Sequence, residues 1–238
     1  MQYSPGQRLD VYRPAPHAAP TGAVIFVHGG GWSSGNRTWY RAQGRKAATH
    51  GWVAASIDYR LAPAHPFPAA LDDVRAAVAW VRAHAPELGV DPDRIALVGG
   101  SAGGNLALLA GTTGVAGVRG VVAWSPPTDL TSLGGRTLSP LVRDYLGCRA
   151  ATCAANARAA SPLAQLRDGA PPMLVANSTH EMIPLAQATA FVRRARERGV
   201  DVDLRVIDGT KHSTQYGAVI WPATVRFLER TIGPPATA

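Results

Sequence analysis

Apolar residues along this chain gather in short unbroken runs, separated by polar, glycine-rich or helix-period stretches. Residues 23–27 form such a run and end at His28-Gly29-Gly30-Gly31, which predicts a buried strand entering a glycine loop. Val53–Ile57 predicts a second strand. Leu71, Val74, Val78 and Val81 then recur at helical spacing, so 68–84 reads as an amphipathic helix. A third strand over 94–99 leads directly to Ser101 and an apolar helix over 105–110. Val118–Trp124, 173–177 and Val202–Ile207 predict further strands, with helices over 184–198 and 218–230.

Strands alternating with helices imply an α/β fold whose mostly parallel sheet is covered on both faces. Ligands of such sheets bind beyond the carboxyl ends of the strands. His28, Ser101, His180 and His212 all follow expected strands, so they should meet along one edge. Residues 130–163 have weak periodicity and many Gly, Pro and Ala residues, as a lid or insert over that edge would. With no internal repeat and no linker, 1–238 reads as one domain.

Composition adds exclusions. At 238 residues and 46% hydrophobic, the chain can bury a large core. No apolar run reaches the roughly 18–20 residues of a membrane span. The first thirty residues lack a basic segment followed by an apolar one, so no secretion signal is expected, and a cytoplasmic protein or a processed secreted one would both fit. The net charge of +8 does not indicate nucleic acid: the basic residues are Arg apart from Lys46 and Lys211, they are scattered, and no recognition module accompanies them. Their densest group, Arg193, Arg194, Arg196 and Arg198, falls on one expected surface helix. Cys148 and Cys153, five positions apart, could form a small disulfide loop, remain free thiols or supply half of a metal site. No histidine lies nearby to complete a zinc site.

Gly99-Gly100-Ser101-Ala102-Gly103 is a G-x-S-x-G sequence between a strand and a helix, the context a nucleophile elbow requires. A dinucleotide fingerprint is not matched, because Ser101 stands where its middle glycine would be. Consecutive glycines in His28-Gly29-Gly30-Gly31-Trp32 let backbone N–H groups face a site. Gly30 and Gly31, with the N–H of Ala102, are the expected oxyanion hole. A serine hydroxyl needs a base, and His212, after the last strand, is placed to be one. His28 reads as organising its loop, and His17, His50, His65 and His84 as structural or exposed. No metal or organic cofactor is required.

These motifs resemble the bacterial carboxylesterases related to hormone-sensitive lipase, and with them the α/β-hydrolase fold. Asp58-Tyr59-Arg60-Leu61-Ala62-Pro63, followed by 65–73, is similar to a signature of that group. The likeness spans about 8–231 and is dense from His28 to Leu109. Asp58, Arg60 and Asp72 are expected to serve folding rather than chemistry. The chain begins close to the first strand, so it resembles the shorter members, without the N-terminal cap of others, and those often carry a cysteine pair in the 148–153 region.

The resemblance breaks at one place. Relatives read like S-T/A-D-E-x-V-P after the penultimate strand, with the Asp as triad acid. Here Ser178-Thr179-His180-Glu181-Met182-Ile183-Pro184 puts His180 in that slot. His180 could orient His212 itself, Glu181 could turn inward, Asp129 could act from another loop, or only a weakened dyad is left. His180-Glu181 does not begin a zinc motif, because the second histidine of H-E-x-x-H would fall at Pro184. The expected function is hydrolysis of a small carboxylic ester through an acyl-enzyme, with Trp32, Trp39, Tyr40 and the 130–163 insert shaping the pocket. Acyl transfer or amide cleavage through the same intermediate, or ligand binding with little catalysis, are the alternatives.

Overall fold

The computed structural model describes residues 1–15, 19–132, 140–148 and 153–233. Eight strands form one sheet: β1 (Gln2–Ser4), β2 (Gln7–Tyr12), β3 (Thr21–Val27), β4 (Val53–Ile57), β5 (Val90–Gly100), β6 (Val118–Trp124), β7 (Met173–Ser178) and β8 (Val202–Ile207). Their order is β1-β2-β4-β3-β5-β6-β7-β8, and β3 to β8 run parallel, with β1 and β2 antiparallel at one edge. The helices are α1 (Arg41–Thr49), α2 (Ala69–Ala83), α3 (Ala85–Leu88), α4 (Ala102–Thr113), α5 (Pro140–Leu146), α6 (Cys153–Ala159), α7 (Pro162–Gln165), α8 (Leu185–Glu197) and α9 (Gly217–Ile232).

Every residue of β3 and β4 is buried, which is why these strands read as unbroken apolar runs. Side chains still alternate between faces. Ala23, Ile25 and Val27 join Leu71, Val74 and Val78 of α2, the apolar face of α4, and Phe191 of α8 in one core. Val24 and Phe26 join Tyr40, Trp52 and the α9 residues Trp221 and Phe227 in the other. Helix α4 is buried from Ala102 to Thr112, so it carries apolar and small residues on all sides.

Ion pairs pin the loops after β4. Arg37 reaches Asp58 at 2.7 Å and Asp10 at 2.9 Å, and Arg60 clasps the buried Asp73 at 2.9 Å. Asp72 pairs with the neighbouring Arg75 on the surface, so the buried member of that acidic pair is Asp73. Arg193 and Arg194 of α8 pair with Glu197, and Arg198 just beyond it with Asp168, a solvated charged face. Among the described residues no helix is long and apolar enough to cross a membrane.

The edge strands β1 and β2 and helix α1 were not among the expected elements. Only Leu9 is fully buried in β2, so no apolar pattern marks it. In the insert, α5 and α6 are joined through a Cys148–Cys153 disulfide, with Cα atoms 4.5 Å apart. Residues 133–139 and 149–152 of that insert, and His17, lie outside the described residues.

Candidate active site

Ser101 stands between β5 and α4 with φ 55° and ψ −124°, a left-handed conformation that side chains rarely adopt. Its N–H is held by the Trp124 carbonyl at 2.8 Å. Small neighbours make the turn possible, and the hydroxyl faces a cavity of about 920 Å³. Ala102 opens α4, so its N–H belongs to the helix's unpaired first turn, where the partial charge is positive.

The glycine loop passes directly over this elbow. A Cβ on Gly29 would fall 2.9 Å from the Gly100 carbonyl oxygen and 3.3 Å from Ser101 Cβ. Gly30 has φ +102°, and a Cβ there would sit 2.2 Å from the Ser34 carbonyl oxygen, so no other residue fits. Among the described residues the Gly30 and Gly31 N–H groups have no internal acceptor. Trp32, at φ 58°, follows them and stacks on Tyr145 of α5. His28 is buried beneath the loop against the Tyr59 ring, 4.1 Å away. Its Nδ1 bonds the Gly29 carbonyl at 2.7 Å, and burial pushes its pKa down to about 4. His28 is therefore a neutral support of the loop rather than a base.

His212 precedes the short helical turn Ser213–Tyr216 and lines the same cavity as Ser101. Its Nδ1 donates to Oε2 of Glu181, whose side chain is 0% exposed while that of His212 is 21% exposed. Oε1 of Glu181 accepts from the Ser178 N–H at 2.9 Å and from the Ser125 hydroxyl at 2.7 Å. A fully buried carboxylate is costly unless donors surround it, and here it has three.

The other two acid candidates are not brought to His212. His180 is exposed, with its Nδ1 bonded to the Thr179 hydroxyl at 2.8 Å. The slot that the sequence pattern assigns to the acid therefore faces solvent, and the next residue turns inward. Asp129 accepts from Thr131 and Ser132 in its own turn. Burial works against its charge, but those donors hold its carboxyl below the usual range. His50 lies tilted against Trp52 and His84 stacks on Trp80, away from the cavity, and His65 does not line it.

Trp32, Trp39 and Tyr40 line the cavity as expected, together with Pro127, Leu141, Val142 and Met182–Pro184. Among the described lining residues no Asp, Glu, Lys or Arg occurs. Leu141 of α5 lies over Gly31, its Cδ1 2.9 Å from where a Cβ would be. Sequence reasoning missed Ser125, which follows β6 directly just as His28 follows β3 and Ser101 follows β5. That shared position was the available signal.

The BD-FAE family model matches residues 9–194. Esterase LipC of Mycobacterium tuberculosis is 36% identical over 215 residues, 81% of this chain and 53% of that protein. Carboxylesterase NlhH of the same species is 48% identical over 87 residues, 36% of this chain and 27% of its own. The chain thus spans about half the length of LipC, and less of NlhH. Among solved structures, propionate-bound Est2, a thermophilic esterase from the Planctomycetes species Thermogutta terrifontis, superposes with a TM-score of 0.82 at 27% identity. The match covers 98% of this chain and 92% of that one. The same esterase phosphonylated by sarin gives a TM-score of 0.81 at 27% identity, with the same coverage.

Proposed function

The chain belongs to the BD-FAE family and has the α/β-hydrolase fold, and from that premise we propose that it is a carboxylesterase-type serine hydrolase. Its substrates are small neutral carboxylic esters, cleaved through an acyl-enzyme. The observation that carries this reading is the buried Glu181–His212 pair opening on the cavity that Ser101 also lines.

Each step follows from what the groups can exchange. With Nδ1 committed to Glu181, His212 has Nε2 free to take the Ser101 proton. Ser101 Oγ adds to the ester carbonyl carbon, and the carbonyl oxygen becomes an oxyanion. The N–H groups of Gly30, Gly31 and Ala102 hold that charge, an effect worth about 3–4 kcal/mol per donor on other scaffolds. Collapse breaks the bond to the alcohol oxygen, which leaves with the proton from His212. Water then repeats the sequence on the acyl-serine and releases the acid and the free serine. Glu181 supplies the charge that stabilises the imidazolium formed in both halves.

The lining, apolar and without Asp, Glu, Lys or Arg among the described residues, supports neutral substrates, since a substrate carboxylate would meet no Lys or Arg among them. A buried carboxylate on His212 weighs against a binding-only role. The likeness to an esterase that sarin phosphonylates suggests the test. A fluorophosphonate probe should label the parent at Ser101, and Ser101→Ala should lose labelling together with at least ~10³-fold in turnover of p-nitrophenyl butyrate. Unchanged turnover in Ser101→Ala would overturn the proposal.

A further inference from the structure

We propose that Ser125 and Tyr216 are positioning residues, a buried hydroxyl relay that locks the Glu181 carboxylate against His212. The inference rests on the reading of Ser101, His212 and Glu181 given above.

Ser125 is fully buried and has φ 52°, where glycine would sit without strain. Packing alone gives no reason for a serine there; its hydroxyl contacts do. Oγ lies 2.7 Å from Glu181 Oε1, 2.8 Å from the Tyr216 hydroxyl and 2.8 Å from the Ser213 N–H. An ionised carboxylate can only accept, so the single Ser125 proton goes to Glu181. The Ser213 N–H and the Tyr216 hydroxyl then give to the two lone pairs of Oγ. The single Tyr216 proton is shared between Oγ and the Ala176 carbonyl, which lies 3.0 Å from the phenol oxygen and holds it beside Ser125.

This relay holds both partners at once. Ser213 follows His212 directly and is itself left-handed at φ 54°, so the atom that fixes the carboxylate also anchors the backbone beside the imidazole. Two donors on Oε1, from Ser125 and Ser178, leave Oε2 for His212. A glutamate has one more rotatable bond than the aspartate of relatives, and that freedom must be removed if the acid is to stay in line. The relay removes it.

The test is a double-mutant cycle on the full chain, with kcat and KM for p-nitrophenyl butyrate as readouts. Ser125→Gly should lower kcat about 10–100-fold with little change in KM, because it frees the acid without touching the cavity wall. Glycine tolerates φ 52°, so the variant should stay folded. In a Glu181→Gln background the same substitution should cost less than about 3-fold, since the relay acts only through that carboxylate. A structural role would give equal losses in both backgrounds, and that result would overturn the proposal, as would a kcat within about 2-fold of the parent. Tyr216→Phe, carried through the same two backgrounds, decides the matter by the same criteria if Ser125→Gly fails to fold. Full activity in Ser101→Ala or in Glu181→Gln would instead bring down the underlying reading, and the relay with it.

Discussion

Trp32 of the glycine loop lies flat against Tyr145 of α5, with ring centroids 4.3 Å apart and planes 6° from parallel. The stack couples the insert to the loop that would hold the oxyanion, and Leu141 on the same helix closes over Gly31. Burial raises the Tyr145 phenol well above its usual pKa, and its hydroxyl meets no partner among the described residues. Tyr145→Phe should therefore keep or raise stability, by up to about 1 kcal/mol, because a desolvated orphan is removed and the ring remains. Tyr145→Ala should cost about 3–5 kcal/mol and lower kcat/KM as α5 loosens over the loop. Urea unfolding and ester turnover on the same samples check both.

Glu181 and His180 should part sharply on substitution. Glu181→Gln keeps the shape but removes the charge beside the imidazolium, and kcat should fall about 10³–10⁴-fold. His180→Ala and His180→Asp should both stay within about 3-fold of the parent, since an exposed side chain bonded to Thr179 holds nothing in the site. A large gain in His180→Asp would mean that Glu181 is not the working acid. Steady-state kinetics on one activated ester is sufficient.

Gly30→Ala should strike the oxyanion loop selectively. At φ +102° and with the Ser34 oxygen 2.2 Å from the new Cβ, the backbone must turn and carry its N–H out of line. Losing one such donor costs about 10²–10³ in kcat on other scaffolds. KM should change little, because the apolar cavity wall is untouched. Retained kcat would remove Gly30 from the proposed hole.

His28 makes the fold sensitive to acid. Its folded pKa is pushed to about 4, chiefly by burial, against the ordinary value of 6.5. Between these values the unfolded chain binds a proton that the folded chain does not. Stability is therefore full above about pH 6.5, declines as pH falls towards 4, and loses nothing further from this group below that. The loss is of order 3 kcal/mol. His28→Phe keeps a ring against Tyr59 and should flatten that part of the stability–pH curve relative to the parent. An unchanged slope would show that His28 is not the group responsible.

What could be read from the sequence follows from burial. Strands β3, β4 and β7 announced themselves because parallel strands covered on both faces are buried throughout, and β5 and β6 through their buried C-terminal halves; β8, at the far edge, showed itself only by its alternating apolar residues. Strands β1 and β2 sit at the open edge with one deeply buried residue, Leu9, and left no such trace. Ser101 and the glycines could be found because their backbone conformations demand particular residue types. The acid could not: between β7 and α8 the chain has no periodicity, and one residue's difference in phase decides whether 180 or 181 faces inward. Ser125 offered only the signal of following a strand, and its role shows only once its φ and its neighbours are known.

Four non-glycine residues have left-handed φ among the described residues, and all four belong to the site: Trp32, Ser101, Ser125 and Ser213. Each such outlier stores roughly 1–3 kcal/mol. Selection of variants for heat resistance alone would thus be rewarded for planting glycine at Ser101, and would yield sturdier proteins that no longer turn over substrate. Libraries built to harden this molecule should hold those four codons fixed and look for improvement elsewhere.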